Sequence, residues 1–70
     1  MTIEQFIGKA KYDPDGQLIW AIQSDGYHRF IDLRGWGAIQ NLFKTHEEAA
    51  KFQDELGEWV ADAINKKLGE

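Results

Sequence analysis

Apolar residues recur with a period of two over the first half of the chain and with a period near 3.6 from Thr45 onward, which predicts strands first and a helix last. In FIGKAKY, residues 6–12, Phe6, Gly8, Ala10 and Tyr12 share one face, and Ile7, Lys9 and Lys11 share the other. Small Gly8 and Ala10 would let a covering element approach closely. In QLIWAIQ, residues 17–23, Leu18, Trp20 and Ile22 alternate with Ile19 and Ala21. That segment is apolar on both sides, as a central strand is. YHRFIDL, residues 27–33, reads as a third strand in which Phe30 and Ile31 point opposite ways.

Two turns link these strands. In YDPDGQ, Pro14 presets the backbone angle, Asp13 can accept a bond from the backbone beyond it, and Gly16 is expected to supply a positive φ. In SDGY the turn falls on Asp25 and Gly26. The result is an antiparallel meander. AIQNLF, residues 38–43, is either a loop or a short fourth strand with RGWG as its turn.

THEE, residues 45–48, has the form of a capping box: the Thr45 hydroxyl accepts from the Glu48 amide, and the Glu48 side chain reaches back to the amide of Thr45. At 100° per residue, Ala49, Phe52, Leu56, Trp59, Val60, Ala63 and Ile64 fall within about a third of the circumference. This arc is expected to be buried. Glu47, Lys51, Asp54, Glu55, Glu58, Asp62 and Lys66 lie opposite; Lys66 and Lys67 suit the negative end of the helix dipole, and Gly69 suits its cap. Gly57 costs about 1 kcal/mol against alanine inside a helix, and a close crossing near Gly8 or Ala10 would explain it. Such a helix, about 35 Å long, outreaches a strand of eight at about 26 Å. The end from Trp59 to Ile64 would then need cover from the Phe43 region or from a second chain.

These elements make one α+β domain over residues 1–70: a three-stranded antiparallel meander, with room for a fourth strand, packed on one long C-terminal helix in the order β-β-β-(β)-α. A chain of 70 residues buries only about 60% of its unfolded surface, so its stability margin is thin. It has no cysteine, which excludes disulfides and thiolate metal sites. No apolar run approaches the ~20 residues of a membrane span, and the N-terminus lacks a leader pattern. A cytoplasmic protein with no membrane contact is expected.

The net charge of −4 is unevenly spread: five basic and five acidic residues cancel up to Lys44, and three lysines face seven acids beyond it. A basic nucleic-acid-binding domain is not indicated. Asp13, Asp15 and Gly16 resemble the start of a calcium loop, but Leu18 and Ser24 stand where that loop needs its glycine and its bidentate glutamate. Nucleophilic catalysis is poorly served by one serine, Ser24, and two unpartnered histidines, His28 and His46. No enzyme activity, metal or cofactor is expected.

Two surfaces stand out as partner-binding candidates. The first is Arg34, Trp36, Ile39, Phe43 and Lys44. Trp36 between Gly35 and Gly37 either folds inward to cap the core or stays exposed beside Arg34 as a binding hot spot. The second is the acidic face Asp54, Glu58 and Asp62, spaced four apart and mutually repelling. The exposed sheet face, read as the one carrying Ile19 and Ala21, is a further contact surface. Lys9, Lys11 and Arg29 with exposed aromatics would give a single-strand platform, though few positive charges stand before an acidic helix.

The turn DPDG, Gly26 ten residues after Gly16, Gly35-Trp36 and Trp59 in the last helix give a layout that resembles the MbtH-like proteins. The resemblance implies an accessory partner of the adenylation domains of peptide synthetases. The chain departs from it at RFID, residues 29–32, where the family has Ser-Leu-Trp-Pro. Taken from its residues alone, the chain is expected to be a small non-enzymatic interaction module that binds a protein or a second copy of itself. A binder of nucleic-acid machinery through the sheet face or acidic helix is the alternative; nucleic acid itself is the less expected partner.

Overall fold

The computed structural model describes residues 1–33, 39 and 41–69. The elements are α1 (Ile3–Ile7), β1 (Lys9–Asp13), β2 (Leu18–Gln23), β3 (Gly26–Asp32) and α2 (His46–Leu68). The three strands form one antiparallel sheet in the order β1-β2-β3, and α2 lies mainly along β1. The α+β arrangement of a meander and a long C-terminal helix is the one expected from periodicity. Among the described residues no fourth strand is formed: the sheet has three strands, and Ile39 and Asn41 have helical backbone.

The first strand starts later than the alternation suggested. The Thr2 hydroxyl accepts from the Gln5 amide at 3.0 Å, and the Thr2 amide donates to Gln5 Oε1 at 2.8 Å. This complete capping box turns Ile3–Ile7 into helix. Gly8 ends it at φ +65°, its amide donating to the Glu4 carbonyl at 2.8 Å. From Lys9 the period of two holds: Ala10 and Tyr12 are buried, and Lys9 and Lys11 are exposed.

In register, Ala10 faces Ala21 and Tyr12 faces Ile19. These four side chains lie under the helical layer, and Ile19 and Ala21 are 0% exposed. The sheet face bearing Ile19 and Ala21 is thus the core face, not an open contact surface; Trp20 and Ile22, half-buried, stand on the other side. In β3 the register passes from Ile19↔Ile31 to Trp20↔Arg29. Phe30 is the extra residue of a β-bulge, which lets both Phe30 and Ile31 pack on the core.

At the first turn the Asp13 carboxylate accepts from the Asp15 amide at 3.0 Å, as expected. The positive φ falls on Gln17 (+55°), not on Gly16. Gly16 serves by its size, because a Cβ there would stand 3.0 Å from Asp13 Oδ2 and 3.2 Å from Leu18 Cδ2.

The rotation of α2 about its axis is the main departure from expectation. The Thr45 hydroxyl accepts from the Glu48 amide at 3.1 Å, so the helix starts where the sequence placed it. Its buried residues, however, are Ala49, Gln53, Gly57 and Ala61, one every four positions. At 100° per residue, the centre of this stripe is turned roughly 80° from the centre of the apolar arc. Leu56, Val60 and Ile64 are half-buried, whereas Phe52, Trp59 and Ala63 are exposed.

Sterics and polar ties explain the rotation. Small residues let the helix axis approach the sheet, and a Cβ on Gly57 would overlap the Tyr12 ring, so Gly57 marks a close crossing at Tyr12 rather than at Gly8 or Ala10. Three polar links fix the phase. The Tyr12 hydroxyl donates to Asp54 Oδ1 at 2.6 Å, and Gln53 Nε2 donates to the buried Leu33 carbonyl at 3.2 Å. The Asn65 amide pairs with Ala10, accepting from its N–H at 2.8 Å and donating to its carbonyl at 2.7 Å. Asn65 thus takes the place of a neighbouring strand on the outer edge of β1, where an unpaired edge would invite aggregation. The C-terminal half of α2 is covered in part by α1: Ile7 belongs to the core, and Val60, Ile64 and Leu68 pack against it. Phe43 stacks instead on Phe52, with ring centroids 5.2 Å apart.

Candidate functional site

Arg34 and Trp36 lie outside the described residues. Ile39 is buried, which makes it a core residue and not a contact; Phe43 is half-buried against Phe52, and Lys44 is exposed. On the acidic face Asp54 is half-buried and accepts the Tyr12 hydroxyl, so it serves the fold. Glu58 and Asp62 are exposed. Burial, followed by the bond to Asp54, pushes the Tyr12 phenol well above its usual range.

Two other surfaces are assembled instead. One runs along α2, where the rotation leaves apolar side chains uncovered. Trp59 is 69% exposed and Phe52 40%, and Ala63 continues the stripe. Beside Trp59 an open cleft of about 410 Å³ separates α1 from α2; Ile3, Ile7, Ala63, Ile64 and Leu68 line it. Ile3, at 72% exposure, forms its outer lip. The periodicity places Trp59 and Ala63 on the arc expected to be buried, at the end expected to need cover from the Phe43 region or a second chain. The signal for α1, the motif TIEQ at residues 2–5, is as legible as THEE.

The other surface is the open face of the sheet. Cross-strand register sets its side chains in three rows: Lys9, Ile22 and Tyr27; then Lys11, Trp20 and Arg29; then Asp13, Leu18 and Asp32, of which Leu18 is buried. Trp20 and Tyr27 meet edge to face, with centroids 6.2 Å apart at 64°. The Trp20 indole N–H donates to Asp13 Oδ2 at 3.3 Å, and that bond leads the causes that hold the Asp13 carboxyl below its usual range. A shallow cavity of about 440 Å³ is lined here by Lys11, Pro14, Trp20, Ile22 and Tyr27.

Lys9, Lys11 and Arg29 are exposed on the sheet, on the face that also carries Asp13 and exposed Asp32. On α2, Glu47, Glu48, Glu55, Glu58 and Asp62 are exposed together with Lys51, Lys66 and Lys67. His28 Nε2 lies 3.1 Å from Gln23 Oε1, and His46 is exposed at the start of α2. Among the described residues no three His, Asp or Glu side chains converge as a metal site would require.

The layout shared with MbtH-like proteins rests on turns and spacing, for no protein-family model, curated protein or solved structure matches this chain.

Proposed function

We propose that the chain is a small non-enzymatic interaction module that docks a protein, another or a second copy of itself, through the uncovered apolar stripe of α2. The observation that carries this reading is the 69% exposure of Trp59 beside the cleft between α1 and α2. A small domain has little apolar surface to spare, and contiguous apolar patches on soluble domains mark contact sites. Tryptophan is among the residue types enriched at the energetic centres of interfaces, where a ring fills a pocket on the partner. Phe52 and Ile3 extend the patch on either side of Trp59, and exposed Glu55 and Asp62 form a polar rim.

The test places Trp59→Glu beside the wild type. Immobilised on a matrix and challenged with lysate of the native host, the wild type should retain a protein that the variant does not. For a second copy, light scattering should give twice the monomer mass for the wild type and the monomer mass for the variant. Folding should hardly change, since a substitution at such an exposed site shifts stability by within about 0.5 kcal/mol. Equal retention together with equal mass would refute the reading, and so would a collapse in melting temperature, which would return Trp59 to the core.

A further inference from the structure

We infer that the open face of the sheet is a platform for single-stranded nucleic acid, with bases stacking on Tyr27 and Trp20 and phosphates held by Lys9, Lys11 and Arg29. The site lies on the opposite side of the sheet from α2 and does not depend on the protein-docking reading. Register carries the argument. Lys11 and Arg29 occupy the two strands on either side of Trp20, and Lys9 and Tyr27 flank Ile22 in the adjacent row. Neighbouring strands are ~4.8 Å apart, so each aromatic has a cation within one or two strands of it. Alternating planar and cationic groups match a chain of alternating bases and phosphates.

The aromatics are set in place before binding. Trp20 is fixed by its bond to Asp13 and by edge-to-face contact with Tyr27. Tyr27 is 70% exposed, so its ring is free to receive a base. The two carboxylates of this face, Asp13 and Asp32, stand in the third row, beyond Trp20. Asp13 accepts from Trp20 and from the Asp15 amide and keeps its charge, which the nearby Lys11 offsets in part. The acidic side chains of α2 lie across the sheet, in a layer ~10 Å away, and charges separated by more than the ~8 Å screening length at physiological salt act weakly on one another. The net charge of −4 therefore overstates the repulsion felt on this face. A sheet face with protruding aromatics suits unpaired bases, whose rings are open to stacking, and not duplex grooves.

The test is fluorescence anisotropy of labelled 12-mers, oligo-dT and oligo-U in separate arms, titrated with the full chain from 50 to 200 mM salt. Three phosphate contacts predict a slope of log K against log salt of about −2, from −0.7 per contact on single strands. Tyr27→Ala should weaken binding roughly ten-fold or more and leave the slope unchanged, while Tyr27→Phe should bind as the wild type does. Lys11→Ala should make the slope shallower by about 0.7. A preference between the two arms identifies RNA or DNA as the source of the strand. Circular dichroism verifies that each variant is folded, and Trp59→Glu should bind both oligomers normally. No binding at 50 mM salt overturns the inference, as does equal affinity for a duplex or indifference to Tyr27→Ala, which would reduce the contact to charge alone. Loss of binding in Trp59→Glu but not in Tyr27→Ala would move the site to α2.

Discussion

Gly57→Ala tests the close packing of α2 on β1, because helix propensity and tertiary contact predict opposite signs. In an exposed helix this substitution stabilises by about 1 kcal/mol. Here the new methyl would overlap the Tyr12 ring on the buried side of the helix. Overpacking of this kind costs about 1–3 kcal/mol. Displacing the ring also breaks the 2.6 Å bond from the Tyr12 hydroxyl to the half-buried Asp54, and a hydrogen bond to a charged group is worth about 1.5–3 kcal/mol. Set against the propensity gain, the net effect is a loss of about 1.5–5 kcal/mol. The total stability of a domain this size is on the order of 4–10 kcal/mol. At about 4–8 °C per kcal/mol the melting temperature should fall by at least about 6 °C, and urea denaturation should give a lower midpoint with an unchanged slope. The decisive comparison is a double-mutant cycle with Tyr12→Val, which removes the ring. In that background Gly57→Ala should stabilise by about 1 kcal/mol, reversing its sign. A Gly57→Ala protein that is more stable in both backgrounds would refute the contact between α2 and Tyr12.

Asn65→Ala should lower the urea midpoint by the equivalent of about 1–3 kcal/mol, because both bonds to Ala10 are lost. Light scattering should also rise with time as the edge of β1 opens; an unchanged midpoint would show that the pairing contributes nothing. Tyr12→Phe tests the alkaline limb of stability. Burial first, and then the Asp54 bond, favour the protonated phenol in the folded state. This contribution is therefore complete below the unfolded value of 10.0 and is lost as pH rises above it. Equilibrium unfolding between pH 9 and 11 should show a steeper decline in wild type than in the variant, and equal declines would refute the assignment. Thr2→Ala should melt α1 and bring Ile7 out of the core, at a cost of about 0.5–2 kcal/mol; retained near-UV ellipticity and an unchanged midpoint would show that the cap is dispensable.

The strands, their order and the start of α2 were legible because each rests on local signals. Asp13-Pro14 and Asp25-Gly26 mark turns, Ile19 and Ala21 beside Trp20 and Ile22 mark a central strand, and Thr45 with Glu48 marks a cap. Other features depend on contacts that periodicity does not encode. Periodicity alone does not choose between the faces of β2, because both are apolar and only the position of α2, over Ile19 and Ala21, selects between them. Phe30 and Ile31 looked contradictory until the bulge placed both on the core. Ile39 looked like a surface residue because it lies in a segment without clear period, yet it is buried. The start at Thr2 was missed for another reason: alternation in FIGKAKY masked a capping motif that was present in the sequence.

The rotation of α2 bears on why its apolar side chains were retained. If Phe52, Trp59 and Ala63 served the core, the helix would present them to the sheet, as their clustering in the sequence predicts. Instead Ala49, Gly57 and Ala61 make the approach, and Gln53, Asp54 and Asn65 provide the polar ties. Burying one large apolar side chain is worth about 1.5–3 kcal/mol, a considerable share of the stability of so small a domain. A sequence optimised only to fold as a monomer would place lysine or glutamate at position 59 with no loss, and Trp59→Lys should be neutral in thermal stability. The helix therefore carries three strips: Ala49, Gly57 and Ala61 approach the sheet at Tyr12, Leu56, Val60 and Ile64 are half-buried, and Phe52, Trp59 and Ala63 face outward. An amphipathic helix with one buried side would need only the first two.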